Sequence, residues 1–266
     1  MAFFGKAFVF NSVPCETYDL MMYNIGSAKQ GDGQFASIPT IEEEVVGKKW
    51  KPYFYAVRFE NKLALEMVFG VNQRRIDEGK YLDRYELDEI ASWLTGHEEY
   101  LWLDVEQEDM LHVRYKVICQ KLDIVDFEMI PMALKATFIC DSPYGYLAEE
   151  IYTYTISGTK SINFFNKSCI NGYFMPDLEI TQTGGTFSIT NATDGNRVFS
   201  LTSYPSSVSS IQVDNEHGII TNNQDLNLYP YFNYKFFRLK RGYNQLTVRG
   251  NGTLKIKCTF PVNTGG

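Results

Sequence analysis

The 266-residue chain contains no run of about 18 apolar residues, the length a helix needs to cross a bilayer, so membrane insertion through a helix is not expected. Met1–Phe10 carries one Lys and no small-residue cleavage pattern, and does not read as a secretory signal. The expectation is a chain made and folded in a cytoplasm. Cysteine is sparse and scattered. Cys15, Cys119, Cys140, Cys169 and Cys258 form an odd set without a C-x-x-C pair, which speaks against a disulfide framework or a zinc site and for buried free thiols. The three histidines, His97, His112 and His217, never recur at the i+2 to i+5 spacing of a two-His metal grip. Phosphate loops, dinucleotide fingerprints, G-x-S-x-G elbows and calcium loops are all absent, and Gly31-Asp32-Gly33 reads only as a turn. The acidic runs Glu42-Glu43-Glu44, Glu98-Glu99, Glu106 to Asp109 and Glu149-Glu150 read as solvated surface. The expectation is therefore no catalytic, cofactor-binding or metal-binding residue, and no enzyme.

What is present points to β structure and to interfaces. Hydrophobic residues make up 44% and charged residues 21%, a balance that supports a folded core. Aromatics reach 15%, and they favour half-buried pleated surfaces as well as protein contacts. Charge is divided unevenly. Residues 1–147 hold 15 Lys and Arg against 24 Asp and Glu, a net −9, whereas residues 148–266 hold 10 against 8, a net +2. Neither part has the basic excess of a nucleic-acid binder, and the asymmetry suggests two domains.

Along the chain, strands are expected at Phe3–Phe10, Tyr18–Ile25, Tyr53–Phe59, Leu63–Phe69, Tyr100–Val105, Leu111–Cys119 and Met132–Cys140. One segment has another period. Leu87, Ile90, Ala91 and Leu94 recur at i, i+3, i+4, i+7, predicting an amphipathic helix over residues 84–95. Asp83 and Glu86 stand in capping-box positions, and Gly96 is placed to end the helix in a left-handed conformation. Gly26–Thr40 and Arg74–Asp83 read as exposed loops. After Asp141–Tyr146 come short β-prone runs separated by the turn signals Gly184-Gly185, Asp194-Gly195, Asn222-Asn223 and Gly250-Asn251-Gly252, with Ala148–Ile170 as a connecting region able to contain strands. The expected fold is mainly β: a β-rich N-terminal domain with one helix, residues 1–147, and a β-sandwich, residues 148–266. The candidate core or interface anchors are Trp50, Trp93, Leu94 and Trp102. No Trp follows residue 102, which weighs against sugar binding by the second domain.

Several stretches together resemble one family. They are Phe10–Leu20, Ile41–Gly47 followed by Tyr53–Phe59, the helix ending Trp93-Leu94-Thr95-Gly96 followed by the strand Tyr100–Asp104, Phe138–Tyr144, and in the second half Pro176–Ile180, Ile211–Glu216 and Asn244–Val248. In order and spacing they are similar to the distal tail proteins of long-tailed phages that infect Gram-positive bacteria. The likeness spans nearly the whole chain and departs from it in the polar loop Gly26–Thr40 and in the Trp-free second half.

That resemblance implies a galectin-like sandwich for the C-terminal domain and a hexameric ring formed by the N-terminal domain. It implies a place in the virion, at the tail tip or baseplate, after assembly in the host bacterial cytoplasm. The implied partners are other copies of the chain, the tail tube protein, a tail-tip or tail-associated lysin protein and a receptor-binding protein, with DNA only as cargo passing through the ring. The competing readings are a carbohydrate-binding sandwich or adhesin acting alone, and a glycan hydrolase with dispersed carboxylates.

Overall fold

A computed structural model describes residues 5–23, 40–44, 53–58, 63–107, 112–127, 130–170 and 172–263. Trp50 and nearly all of the loop Gly26–Thr40 lie outside the described residues. The chain divides into two compact units, Met1–Tyr146 with Asn263–Gly266, and Leu147–Val262. Both are mainly β.

The first unit contains β1 (Gly5–Phe10), β2 (Val13–Pro14), β3 (Leu20–Met22), β4 (Thr40–Glu44), β5 (Tyr53–Arg58), β6 (Ala64–Val71), β7 (Leu101–Gln107), β8 (Val113–Phe127) and β9 (Ile130–Cys140). β4 and β5 pair with each other, while the remaining seven run in the sheet order β2-β1-β7-β8-β9-β6-β3. Alternation along each strand assigns the faces. Phe8, Phe10, Leu103, Tyr115, Val117 and Phe138 are buried on one face, and Trp102, Asp104 and Arg114 occupy the other. β8 runs well past the predicted strand end at Cys119. A bulge between Cys119 and Lys121 shifts its register against β9. The alternation visible in the sequence therefore breaks off there, although the strand does not.

Helix α1 (Gln73–Asp77) and helix α2 (Arg84–Thr95) lie between β6 and β7. α2 occupies the predicted residues. Asp83 accepts from the N–H groups of Tyr85 and Glu86 at 2.8 and 2.9 Å, and Glu86 accepts from the Asp83 N–H at 2.9 Å, a complete capping box. Ile90, Trp93 and Leu94 are buried and Leu87 packs half-buried beside them. The Trp93 ring stacks on Tyr18 and Phe8 at 4.8 and 5.7 Å, and its N–H donates to the Phe10 carbonyl at 3.3 Å.

Two expectations are corrected here. Gly96 has φ −76° and is not left-handed. Its N–H donates to the Ser92 carbonyl at 3.1 Å, and a Cβ on it would sit 2.6 Å from that same oxygen. Close approach, not handedness, is what favours glycine. The expected loop Arg74–Asp83 also contains most of α1, which Asn72 caps by accepting from the Arg75 N–H at 3.0 Å. Five helical residues are too few to leave a readable period. Arg75, almost fully buried, joins the two helices through a two-point ion pair with Glu86 at 2.8 and 2.9 Å.

The boundary strand β10 (Gly145–Leu147) is followed in the second unit by β11 (Glu150–Asn166), β12 (Asp177–Thr181), β13 (Gly185–Asn191), β14 (Arg197–Tyr204), β15 (Ser210–Asp214), β16 (Ile219–Asn222), β17 (Gly242–Cys258) and β18 (Pro261–Val262). β11 and β17 pair over seventeen residues, from Glu150↔Cys258 to Asn166↔Gly242. On its other side β17 pairs first with β13, between Leu246 and Arg249, and then with β12, between Thr253 and Lys257.

The switch falls at Gly250-Asn251-Gly252. Those residues are therefore not the turn predicted from sequence but a crease inside a strand. The reason is steric. A Cβ on Gly250 would meet Phe187 at 2.7 Å and collide with the Gln182 side chain, and one on Gly252 would collide with the Thr181 carbonyl. Buried Gln182 fills the crease, accepting from the Asn251 N–H at 2.7 Å and donating to the Gly184 carbonyl at 2.9 Å. Opposite, Gly158 takes φ +76°. The fold is sharp enough to bring the two ends of β11 together. A straight strand of this length would span about 50 Å, yet Lys167, just past its end, lies 2.7 Å from Glu150 at its start. The Tyr152 and Phe164 rings meet at 4.9 Å. One ladder thus supplies two layers. The even-numbered residues Leu246, Val248, Leu254, Ile256 and Cys258 all turn into the core between them.

Candidate functional site

The four sequence-selected anchors separate in the structure. Trp93 and Leu94 belong to the core beneath the sheet, and Trp50 is outside the described residues. Trp102 stands on the sheet face away from α2. Arg114 lies over its ring at 4.7 Å and is itself held by Asp104 through two contacts of 2.5 and 2.9 Å. Tyr146 meets Trp102 edge-on at 5.7 Å and donates to Asp141 at 3.0 Å. The spacing of Trp102, Asp104 and Arg114 follows from strand pairing, with Asp104 opposite Arg114 and Trp102 opposite Lys116. This is a stiff, half-exposed aromatic and ionic surface, with the geometry of a contact patch.

Among the described residues the thiols and imidazoles are held in structural settings. All five cysteines are free thiols. Burial pushes the Cys15 thiol up to about 11 and the Cys140 thiol up to about 12, and it raises Cys258 as well, so these stay protonated at neutral pH. His217 sits 2.7 Å from Asp214 on an exposed hairpin turn. His97 lies 2.8 Å from the Trp93 carbonyl and closes the end of α2. Among the described residues no group of three or more His, Cys, Asp or Glu is arranged to hold a metal ion. A cleft of about 210 Å³ on the second unit is lined by Asp177, Asp214, Lys257, Gln212, Ile219 and Thr221. Burial, reinforced by Asp214, raises the Asp177 carboxyl. Lys257 and Lys255 are both engaged by Glu179, at 2.9 and 2.7 Å. The lining lies on the outer side of the β12–β15–β16 layer, open to solvent.

The fold and these surfaces define a structural protein of two antiparallel β units that offers contact patches. Comparison gives the family. Residues 3–142 match the family described as phage tail protein N-terminal domain, and residues 144–258 match the phage tail C-terminal domain. The chain belongs to the phage tail proteins.

No curated protein sequence matches it. Among solved structures it is similar to the Dit protein of phage SPP1, described as a paradigm of the hub adsorption apparatus in phages infecting Gram-positive bacteria. The TM-score is 0.66 at 11% identity, over 96% of this chain and 98% of that one. A chain of the phage P2 baseplate in its activated conformation is also similar, with a TM-score of 0.53 at 10% identity and the same coverage. The mainly-β fold of the chain is that of a Dit-like hub protein. Its role is structural and non-enzymatic, and its place is in the tail of the virion.

Proposed function

We propose that the chain is a distal tail protein whose copies close into a hexameric ring. The ring joins the tail tube to the tail-tip or tail-associated lysin protein and carries receptor-binding proteins. In this reading the N-terminal unit makes the ring and the C-terminal unit, a galectin-like sandwich, is the outward docking platform. DNA crosses the ring as cargo. The −9 charge of residues 1–147 suits a wall that repels phosphate. Assembly takes place in the host bacterial cytoplasm.

The observation that carries the reading is likeness in fold over both units at once, 96% of the chain, to a phage hub protein. The test is electron microscopy of the purified full chain with its mass measured over a concentration series. Six-fold rings of six chain masses are expected. A protein that stays a single chain throughout and binds glycans in that form would overturn the ring in favour of a carbohydrate-binding module.

A further inference from the structure

The stretch Leu226–Gly266 holds seven Lys and Arg and no Asp or Glu. Within it, the turn leading into β17 is fixed from beneath by three buried asparagines. Asn191 donates to the Arg238 carbonyl at 3.1 Å, and Asn166 donates to the Lys240 carbonyl at 3.1 Å. Asn244 donates to the Lys240 and Gly242 carbonyls at 2.7 and 3.0 Å and accepts from the Lys240 N–H at 3.0 Å. Gly242, at φ +83°, takes the bend.

The backbone is thus pinned, and from it Lys240, Arg241 and Tyr243 face solvent while Leu239 turns into the core. Arg238 is held by Asp194 at 2.7 Å. Lys240 and Arg241 are exposed. The charge of Lys240 helps to lower the Asp194 carboxyl from a distance, and neither cation has a carboxylate within ion-pair contact among the described residues. Next to them Tyr243, 66% exposed, pairs its ring with exposed Phe165 at 4.9 Å. Arg and Tyr are enriched at interface hot spots, and with the backbone already held only side-chain freedom is lost when they are covered.

The complementary surface is on the first unit. On α2, Tyr85 is 84% exposed, and the neighbouring Asp88 and Glu89 are exposed without an ion-pair partner among the described residues. Arg84 is the one exposed cation of that helix. The two surfaces match in charge and in aromatic character.

We infer that the basic turn Lys240–Tyr243 of one copy seats on the outer face of α2 of a second copy. The inference rests on the ring proposed above and names one further contact within it. Two different patches meeting head to tail generate closed rings when the rotation closes. The contact therefore braces neighbours around the ring, beyond whatever joins the N-terminal units directly.

The test is a charge swap in the full chain, read by sedimentation velocity over a concentration series. The variants are K240E/R241E, D88K/E89K and the chain carrying all four changes. All four side chains are exposed, and near-ultraviolet circular dichroism verifies that each variant folds. Each two-residue variant sets like charges against each other and is expected to raise the half-assembly concentration about tenfold or more. The four-residue variant restores opposite charges and is expected to return close to the unaltered chain. Rescue of this kind is not produced by a general loss of stability. Full assembly of both two-residue variants, or additive loss in the four-residue variant, overturns the contact and leaves the ring standing. An unaltered chain that never assembles overturns both.

Discussion

The two units bury their β layers by opposite means. In the first, a sheet is covered by a separate element, and the join depends on side chains that are present: Trp93, Leu94 and Ile90 of α2 against Phe8 and Phe10. In the second, one ladder folds onto itself, and the join depends on side chains that are missing, at Gly250 and Gly252. Packing of large groups degrades by increments as atoms are removed. A crease that admits no Cβ has no such gradation, since the obstructing atoms are backbone or buried neighbours. The second unit should therefore fail abruptly at its glycines and the first gradually along its helix.

The largest expected effect is at the crease. Gly252→Val should remove on the order of 3 kcal/mol or more from the second unit, because the new side chain overlaps the Thr181 carbonyl. Gly250→Ala should be nearly as severe, being opposed by Gln182 and Phe187. Gly158→Ala meets no atom within 4 Å, and only its positive φ opposes it, so about 1–2 kcal/mol is expected. Calorimetry of the full chain separates these, with the first unit's transition expected to stay in place. Equal losses at Gly158 and Gly252 would mean that backbone handedness, and not crowding, makes the bend.

Next comes the helix. Leu94→Ala and Ile90→Ala should each cost about 2–5 kcal/mol, the range for emptying a buried site. Leu87→Ala should cost clearly less, since Leu87 is only half-buried. If Leu87 equals Leu94 in denaturant unfolding, the helix is clamped along its whole stripe and the graded picture is wrong.

A smaller, pH-dependent effect sharpens the same contrast. Hydrogen bonding from Arg75 holds the Glu86 carboxyl below the usual carboxylate range. A depressed folded-state value contributes stability that is present above the unfolded value and is lost as pH falls through the folded one. The first unit should therefore weaken as pH drops below about 4, and Glu86→Gln should remove that part of the slope. An unchanged slope in Glu86→Gln would assign the acid sensitivity to other carboxylates.

The helix α2 was readable because three signals agree between Asp83 and Gly96: period, capping box and terminal glycine. Most strands of the first unit were readable from alternation, and β8 was lost only where the bulge at Cys119 shifts its pairing. But β4 was not among the expected strands, and Tyr18, expected to open a strand, lies in a tight helical turn ahead of β3. The crease was misread for a physical reason. Gly-Asn-Gly is the composition of a turn, and nothing local distinguishes a chain that reverses from one that bends between layers. The difference lies with Thr181, Gln182 and Phe187, some 63 to 71 residues away. The basic turn was unreadable likewise. Its fixing asparagines, Asn166 and Asn191, are remote in sequence from Lys240, and a buried Asn looks the same on paper as a solvated one.

The smallest expected effect concerns the ion pair at the ends of β11. Lys167 contacts both Glu150 oxygens at 2.7 Å, and Tyr152 also donates to Glu150. The contact looks like a latch that holds the folded ladder shut. Its environment argues otherwise. The two side chains are 42% and 36% exposed, and an ion pair in such a setting contributes about 0–1 kcal/mol because water screens it and both chains lose freedom. The ladder is already closed by the core residues on both of its halves, Ile156 and Leu254 on one side of the bend and Ile162 and Leu246 on the other. The pair is thus a consequence of closure. Lys167→Ala should lower the stability of the second unit by less than about 1 kcal/mol, and the loss should shrink further as salt is raised. Thermal unfolding at low and high salt measures both. A loss as large as that of Gly252→Val would make the ion pair the cause of closure and the crease merely permissive, reversing the account of how this unit folds.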